Sequence, residues 1–215
     1  MAVLVDTSPD LREQLLDADV RRLDAVVFTH EHADHTHGID DLRPLVIAGR
    51  TRIDAWMDEA TASALKRRFG YIFEPPSGSY YPALLTERRL TTPGPTTVHG
   101  RADSELSLTC FRLPHGDIEA LGLRIGGFAY APDLNGIPRE SEGLFEDLDM
   151  LLIDALRYRP HPSHFSVEET LAAIGRFKPR RAILTNMHTD LDYAKLAASL
   201  PANVEPAFDG MQLTL

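Results

Sequence analysis

Two rhythms of apolar residues run along this chain. Short continuous or alternating runs predict strands: AVLVD (2–6), DAVVFT (24–29), LSLTCFRL (106–113), LGLRI (121–125), GFAYA (127–131), DMLLID (149–154), RAILT (181–185) and MQLTL (211–215). DAVVFT and DMLLID are unbroken enough to read as buried strands. Helical spacing marks TSPDLREQLL (7–16), DEATASALKRRF (58–69), SVEETLAAIGRF (166–177) and DYAKLAASL (192–200). In the first of these Ser8 is the expected N-cap, with Pro9 at the first helical position. In the third, Ser166 and Glu169 carry the spacing of a capping box. Residues 74–100 are rich in Pro, Gly, Ser and Thr and predict a long irregular segment, a lid or binding loop. Strands and helices alternate without a repeat, so the fold class is α/β.

Composition narrows the function. A length of 215 residues suits one domain, 1–215, with a substantial core, or at most one domain with an insert. The net charge of −10 is the wrong sign for passive nucleic-acid binding, which comes largely from neutralising phosphates. A small anionic substrate stays open, because a bound metal reverses the local field. The single cysteine, Cys110, allows neither an intrachain disulfide nor a cysteine-built zinc site, which fits a reducing compartment. No apolar run reaches the length of a membrane span, and the start lacks the layout of a signal peptide, so the cytoplasm is expected.

The chemistry concentrates in VVFTHEHADHTHGIDDLRP (26–44), where four histidines follow directly on a buried strand. His30 to His35 read H-x-H-x-D-H. In an extended loop residues two apart point the same way, so His30 and His32 can grip one ion while Asp34 and His35 turn to a second. Imidazole and carboxylate suit zinc or manganese. Two ions need more ligands, and His115, Asp133 and His188 each follow a β-type run. Side chains at strand ends converge on one sheet edge, where α/β proteins place their sites.

Together with LVDTSPDL, FGYIF, LPHG, APDLNGIP, LLIDALR, HPSHFSVEE, AILT and FDGM in the same order, this motif resembles the metallo-β-lactamase fold superfamily, from Val3 onward. Within it the chain is most similar to the phosphodiesterase branch: ribonuclease Z-like hydrolases and the cyclic-phosphate phosphodiesterases of phosphonate degradation. The resemblance implies an αββα sandwich with shortened N-terminal strands. An edge left uncovered there would lower stability or be covered by a second copy in a homodimer. It implies two divalent ions, the first on His30, His32 and His115, the second on Asp34, His35 and a late histidine, with Asp133 between them. The family pattern at the late position is Leu-Thr-His, whereas this chain has Leu184-Thr185-Asn186. Asn is a poor zinc ligand, so His188 is expected to reach the metal. His164 corresponds to a histidine that protonates the leaving group, against the plainer reading of a loop histidine beside the helix near Ser166. Asp154 is expected to orient a ligand histidine. Arg43 is a candidate phosphate clamp, or the partner of Asp40 or Asp41 in an ordinary ion pair. Tyr71 and Phe73 line a nucleoside or sugar pocket, or belong to the core. His37, His99 and His161 are expected to be spectators.

The implied reaction is hydrolysis of a small phosphodiester, of the cyclic ribose or nucleoside phosphate class. A hydroxide between the two metals, oriented by Asp34 and Asp133, attacks phosphorus in line, and His164 protonates the departing oxygen. The rivals are a thioesterase or lactonase of the same fold, a tRNA 3′-processing ribonuclease, and a metal- or nucleotide-binding protein without turnover. The ribonuclease branch carries a long basic arm for tRNA, and this chain shows no such insert.

Overall fold

The computed structural model describes residues 1–214. The chain divides into two compact units, Met1–Thr91 with Thr96–Ser107, and Thr92–Pro95 with the chain from Leu108 onward.

The first unit contains β1 (Val3–Val5), α1 (Leu11–Asp17), β2 (Ala25–Val27), α2 (Ala33–Thr36), α3 (Arg43–Gly49), β3 (Ile53–Met57), α4 (Glu59–Phe73) and β4 (Leu85–Arg89). Its four strands lie in the order β1-β2-β3-β4 and all pairs are parallel. Parallel neighbours need crossovers, and the helices between the strands supply them. β2 is buried at every position. Val26 and Phe28 join Leu11, Leu42, Met57 and Leu65 in one core. Burying each large apolar side chain contributes about 1.5–3 kcal/mol.

Four expectations are corrected in this unit. The first helix begins at Leu11 with Asp10 at its N-cap, and the Ser8 hydroxyl donates to the Gln14 side chain instead of capping. The stretch IDAWM, given no element in the sequence reading, is β3, with burial alternating along it. The segment 74–100 is irregular only at its start, because it holds β4 and then β5 (Gly94–His99). β4 escaped notice because LTERR carries mostly charged residues, as edge strands do. The helix read as ending at Phe69 continues to Phe73 through a non-helical Phe69.

The unit boundary falls within β5 and β6 (Glu105–His115) along the chain. The second unit continues with β7 (Ile118–Ile125), β8 (Phe128–Ala131), β9 (Met150–Asp154), α5 (Val167–Phe177), β10 (Arg181–Thr185), α6 (Tyr193–Ser199) and β11 (Val204–Pro206). Its strands run in the order β11-β10-β9-β8-β7-β6. β8 to β11 pair in parallel, and β7 is antiparallel to both β8 and β6. It follows that β6, β8, β9 and β10 all end on the same edge of the sheet. The core joins Phe111, Leu113, Phe145, Leu151, Ile153 and Leu184, with Phe111 edge-on to Phe145 at 5.4 Å. The capping box at α5 forms as read, Ser166 with Glu169.

The expected terminal strand MQLTL is not one over residues 211–214, and Leu215 lies outside the described residues. β11, with the sequence VEP, takes the edge beside β10 instead. No helix among the described residues is long and apolar enough to cross a membrane.

Candidate functional site

In the first unit the chemistry gathers where β1 and β2 end. After β2 the chain passes through Phe28 and Thr29 to His30, which is almost completely buried. His32 is extended, with φ −64° and ψ 157°, and α2 begins at the next residue. Only the first half of H-x-H-x-D-H is therefore an extended loop, and Asp34 and His35 turn on a helix. The ring centroid of His30 stands 4.8 Å from that of His32 and 4.2 Å from that of His35.

A residue without an assigned role in the sequence reading holds this arrangement. Asp6, just past β1 and at φ 60°, accepts from the Thr29 backbone N–H at 2.7 Å and from the Thr29 hydroxyl at 2.7 Å. It also meets His35 Nδ1 at 2.8 Å. The Thr29 hydroxyl lies 3.1 Å from His30 Nδ1. With Nδ1 engaged on both rings, Nε2 is the end that could meet a cation, the usual orientation of a ligand histidine. Gly38 lets the loops close here, since a Cβ on it would sit 1.9 Å from the Ser8 carbonyl oxygen. Asp6 lies in LVDTSPDL, and its position as a carboxylate at a strand end was the signal that could have singled it out.

The ligand geometry fits a metal. His35 Nε2 and Asp34 Oδ2 are 3.4 Å apart. Through that contact His35 holds the Asp34 carboxyl well below the usual carboxylate range. Two ligand atoms at about 2.0–2.1 Å on a tetrahedral zinc ion are separated by about 3.3–3.4 Å.

The same spacing recurs in the second unit. His115 Nε2 stands 3.4 Å from Asp133 Oδ2, and both residues are buried. His115 Nδ1 is fixed by the Ser163 carbonyl at 2.7 Å. Four strand ends deliver this cluster: His115 ends β6, Asp133 follows β8, Asp154 ends β9 and Asn186 follows β10. His164 Nδ1 meets Asp154 Oδ2 at 2.9 Å, and the His164 ring packs 4.6 Å from that of His115. Asp154 thus orients His164, not one of the expected ligand histidines. Burial pushes the Asp154 carboxyl up to about 6, against the opposing hydrogen bond and charge of His164.

The late histidine is placed differently from expectation. His188 is exposed, and its Nδ1 lies 3.1 Å from Asp190. Asn186 faces the cluster instead, its amide donating to Asp133 Oδ1 at 3.1 Å and lying 3.3 Å from His164 Nδ1. Its backbone is left-handed, with φ 58°, which Asn tolerates better than most residues. His161 was read as a spectator; its ring is 5.1 Å from that of His164, and its Nδ1 takes a hydrogen bond from the Ser163 backbone N–H.

Arg43 is bound to Asp40 in an ion pair, the plainer of its two readings. The Tyr71 hydroxyl also donates to Asp40. Burial and that bond push the Tyr71 phenol up to about 12. Arg43 and Tyr71 do line one cavity, with Tyr81 and three prolines, of 350 Å3. Phe73 is core. His37 packs on Phe69, and His99 pairs with Glu105.

Comparison with known proteins adds the following. A family model described as beta-lactamase superfamily domain matches residues 2–187. The crystal structure of a diphosphatase from the PhnP family is 33% identical, with a TM-score of 0.88 over 99% of this chain and 79% of that one. Human tRNase Z, short form, shares the fold at 15% identity and a TM-score of 0.69, covering 97% of this chain and 86% of that one. An octanoyltransferase of Porphyromonas gingivalis is 32% identical over 215 residues, 98% of this chain. The chain spans only 42% of that protein's length.

Proposed function

Because this chain belongs to the beta-lactamase superfamily and, within it, to the PhnP family, we propose that it is a metal-dependent hydrolase of small phosphodiesters. The observation that carries this reading is the pairing in the second unit of a ligand couple, His115 with Asp133, and an adjoining acid couple, His164 with Asp154. The kinship with a diphosphatase supports the choice of phosphorus as the centre attacked.

In this reading His30, His32, Asp34, His35, His115 and Asp133 hold two divalent ions, zinc or manganese. Such ions draw charge from phosphoryl oxygens and acidify water at neutral pH. The chain's own residues do the rest. Asn186 and the buried strand end fix Asp133, so that its second oxygen keeps a constant direction. Asp154 holds Nδ1 of His164 and stabilises the imidazolium, which leaves Nε2 to protonate the departing oxygen. The substrate is small, because the chain carries a net charge of −10 and no long basic track for a polymer. With a single cysteine, fully buried, it suits the cytoplasm.

The test is hydrolysis of bis(4-nitrophenyl) phosphate by protein stripped with chelator and then resupplied with zinc or manganese. Cyclic nucleoside phosphates, single-stranded RNA and precursor tRNA are assayed beside it. Metal-dependent turnover of the small diesters is expected. Turnover of precursor tRNA alone would assign the chain to RNA processing. The octanoyltransferase similarity favours acyl transfer as a second reading, and an octanoyl thioester in the same assay tests it. Cys110, the chain's only thiol, is fully buried in β6 and is no ready acyl carrier.

A further inference from the structure

Beside the acid couple lies a pocket that the reaction as described does not use. It has a volume of 470 Å3, within the usual range for small-ligand sites. Leu152 and Ile183 form part of its lining, Thr185 and Asn186 sit at the end of β10, and Phe208 and Asp209 come from the FDGM segment. We propose that this pocket receives the nucleoside part of the leaving group. The proposal deepens the phosphodiesterase reading and rests on it.

FDGM is built to present two side chains at this place. The Met211 backbone N–H donates to the Phe208 carbonyl at 3.0 Å, and Gly210 has φ 84°. A turn closed in this way, with only its third residue at positive φ, is type II, which calls for glycine there. The turn is pinned to the sheet by the Ala207 N–H donating to the Leu184 carbonyl at 2.8 Å. Tyr193 braces the Phe208 ring edge-on at 6.4 Å. Phe208 is still 56% exposed, so its ring can stack against a flat partner.

Position and chemistry together name the occupant. Asn186 belongs both to the pocket wall and to the cluster of Asp133 and His164. The P–O bond breaks as water oxygen bonds to phosphorus, and the proton from His164 goes to the departing oxygen. Whatever alcohol leaves on that oxygen therefore lies on the His164 side, against Asn186. There it meets an aromatic ring and a carboxylate. A base stacks on the former, and ribose hydroxyls donate to the latter, as they do in dinucleotide sites.

The test is calorimetric binding of adenosine to the metal-loaded protein, together with KM for a dinucleoside monophosphate. Phe208→Ala is expected to weaken adenosine binding about tenfold. Asp209→Asn should weaken adenosine about three- to tenfold and 2′,3′-dideoxyadenosine hardly at all. Both variants should keep their metal content and their melting temperature. No binding of adenosine by the wild type, or unchanged affinity in Phe208→Ala, would overturn the pocket's assignment while leaving the hydrolase reading intact. Absence of any phosphodiester turnover by the wild type would remove the hydrolase reading itself, and the proposal with it.

Discussion

Asp6 and Asp154 are two carboxylates in the same local setting with different fates. Each lies at the end of a parallel strand, and each holds the Nδ1 of a histidine, His35 at 2.8 Å and His164 at 2.9 Å. Asp6 is saturated: Thr29 donates to it twice besides the His35 contact. Asp154 takes His164 and the Leu134 N–H on one oxygen, while its Oδ1 is buried with no hydrogen-bond partner among the described residues. A buried carboxylate so poorly satisfied is costly to ionise, which is why burial pushes it up to about 6. Saturation fixes the His35 ring in place, whereas the deficit at Asp154 raises the proton affinity of the carboxyl beside His164, the group that must give a proton up.

If that contrast is right, the largest effect falls on the histidine Asp154 serves. His164→Ala should lose about 10²- to 10⁴-fold in turnover of an alkyl phosphodiester. The loss should be much smaller with 4-nitrophenolate as leaving group, which needs little protonation. Rates on the two substrates, with metal content measured alongside, decide it. Equal losses would make His164 a structural residue.

Asp154 itself gives the next largest effect, and its sign runs against intuition. Its folded-state pKa is raised, so in metal-free protein its contribution is full below the ordinary carboxyl value near 4 and is lost as pH rises through about 6. At pH 7 the deficit is about 2–3 kcal/mol, since one pKa unit is about 1.4 kcal/mol. Asp154→Asn should therefore raise the melting temperature of the metal-free protein at pH 7 and not at pH 4, while turnover falls. Destabilisation of equal size at both pH values would show that Asp154 is simply structural. Asp6→Ala is the counterpart in the first unit. It should weaken metal binding by about 10- to 100-fold, the usual consequence of removing the partner of a ligand histidine. Metal titration of the purified variant measures it.

The two units also differ in how much of them could be read in advance. His30, His32, Asp34 and His35 fall within six consecutive residues, so one stretch of sequence displayed that cluster whole. His115, Asp133 and Asp154 were legible because each ends or follows an apolar run, and parallel topology brings such ends to one edge. Asn186 and His188 were not separable by that logic. Both follow the same strand, and a left-handed backbone at Asn186 decides which one faces inward. Asp6 stands in LVDTSPDL far in sequence from Thr29 and His35, the partners that give it its role. In the fold, β4 was lost to a charged sequence that carries little apolar signal, whereas the alternation of β3 was there to be read, and residues 211–214 follow the Phe208–Met211 turn without forming a strand.

The smallest expected effect sharpens the point about the late ligand. Asn186 now spends its amide on Asp133, and His188 is turned away. Asn186→His should tighten the weaker of two metal equivalents by about tenfold, and His188→Ala should leave both unchanged. Calorimetric zinc titration of the two variants reads this directly. Loss of a metal in His188→Ala would return that residue to the site.

Elemental analysis of protein purified without chelator, assayed in parallel on bis(4-nitrophenyl) phosphate, decides whether this chain is a two-metal phosphodiesterase. Turnover should rise with metal content and reach its plateau near two equivalents of zinc or manganese per chain. Full turnover at one equivalent or less would contradict it.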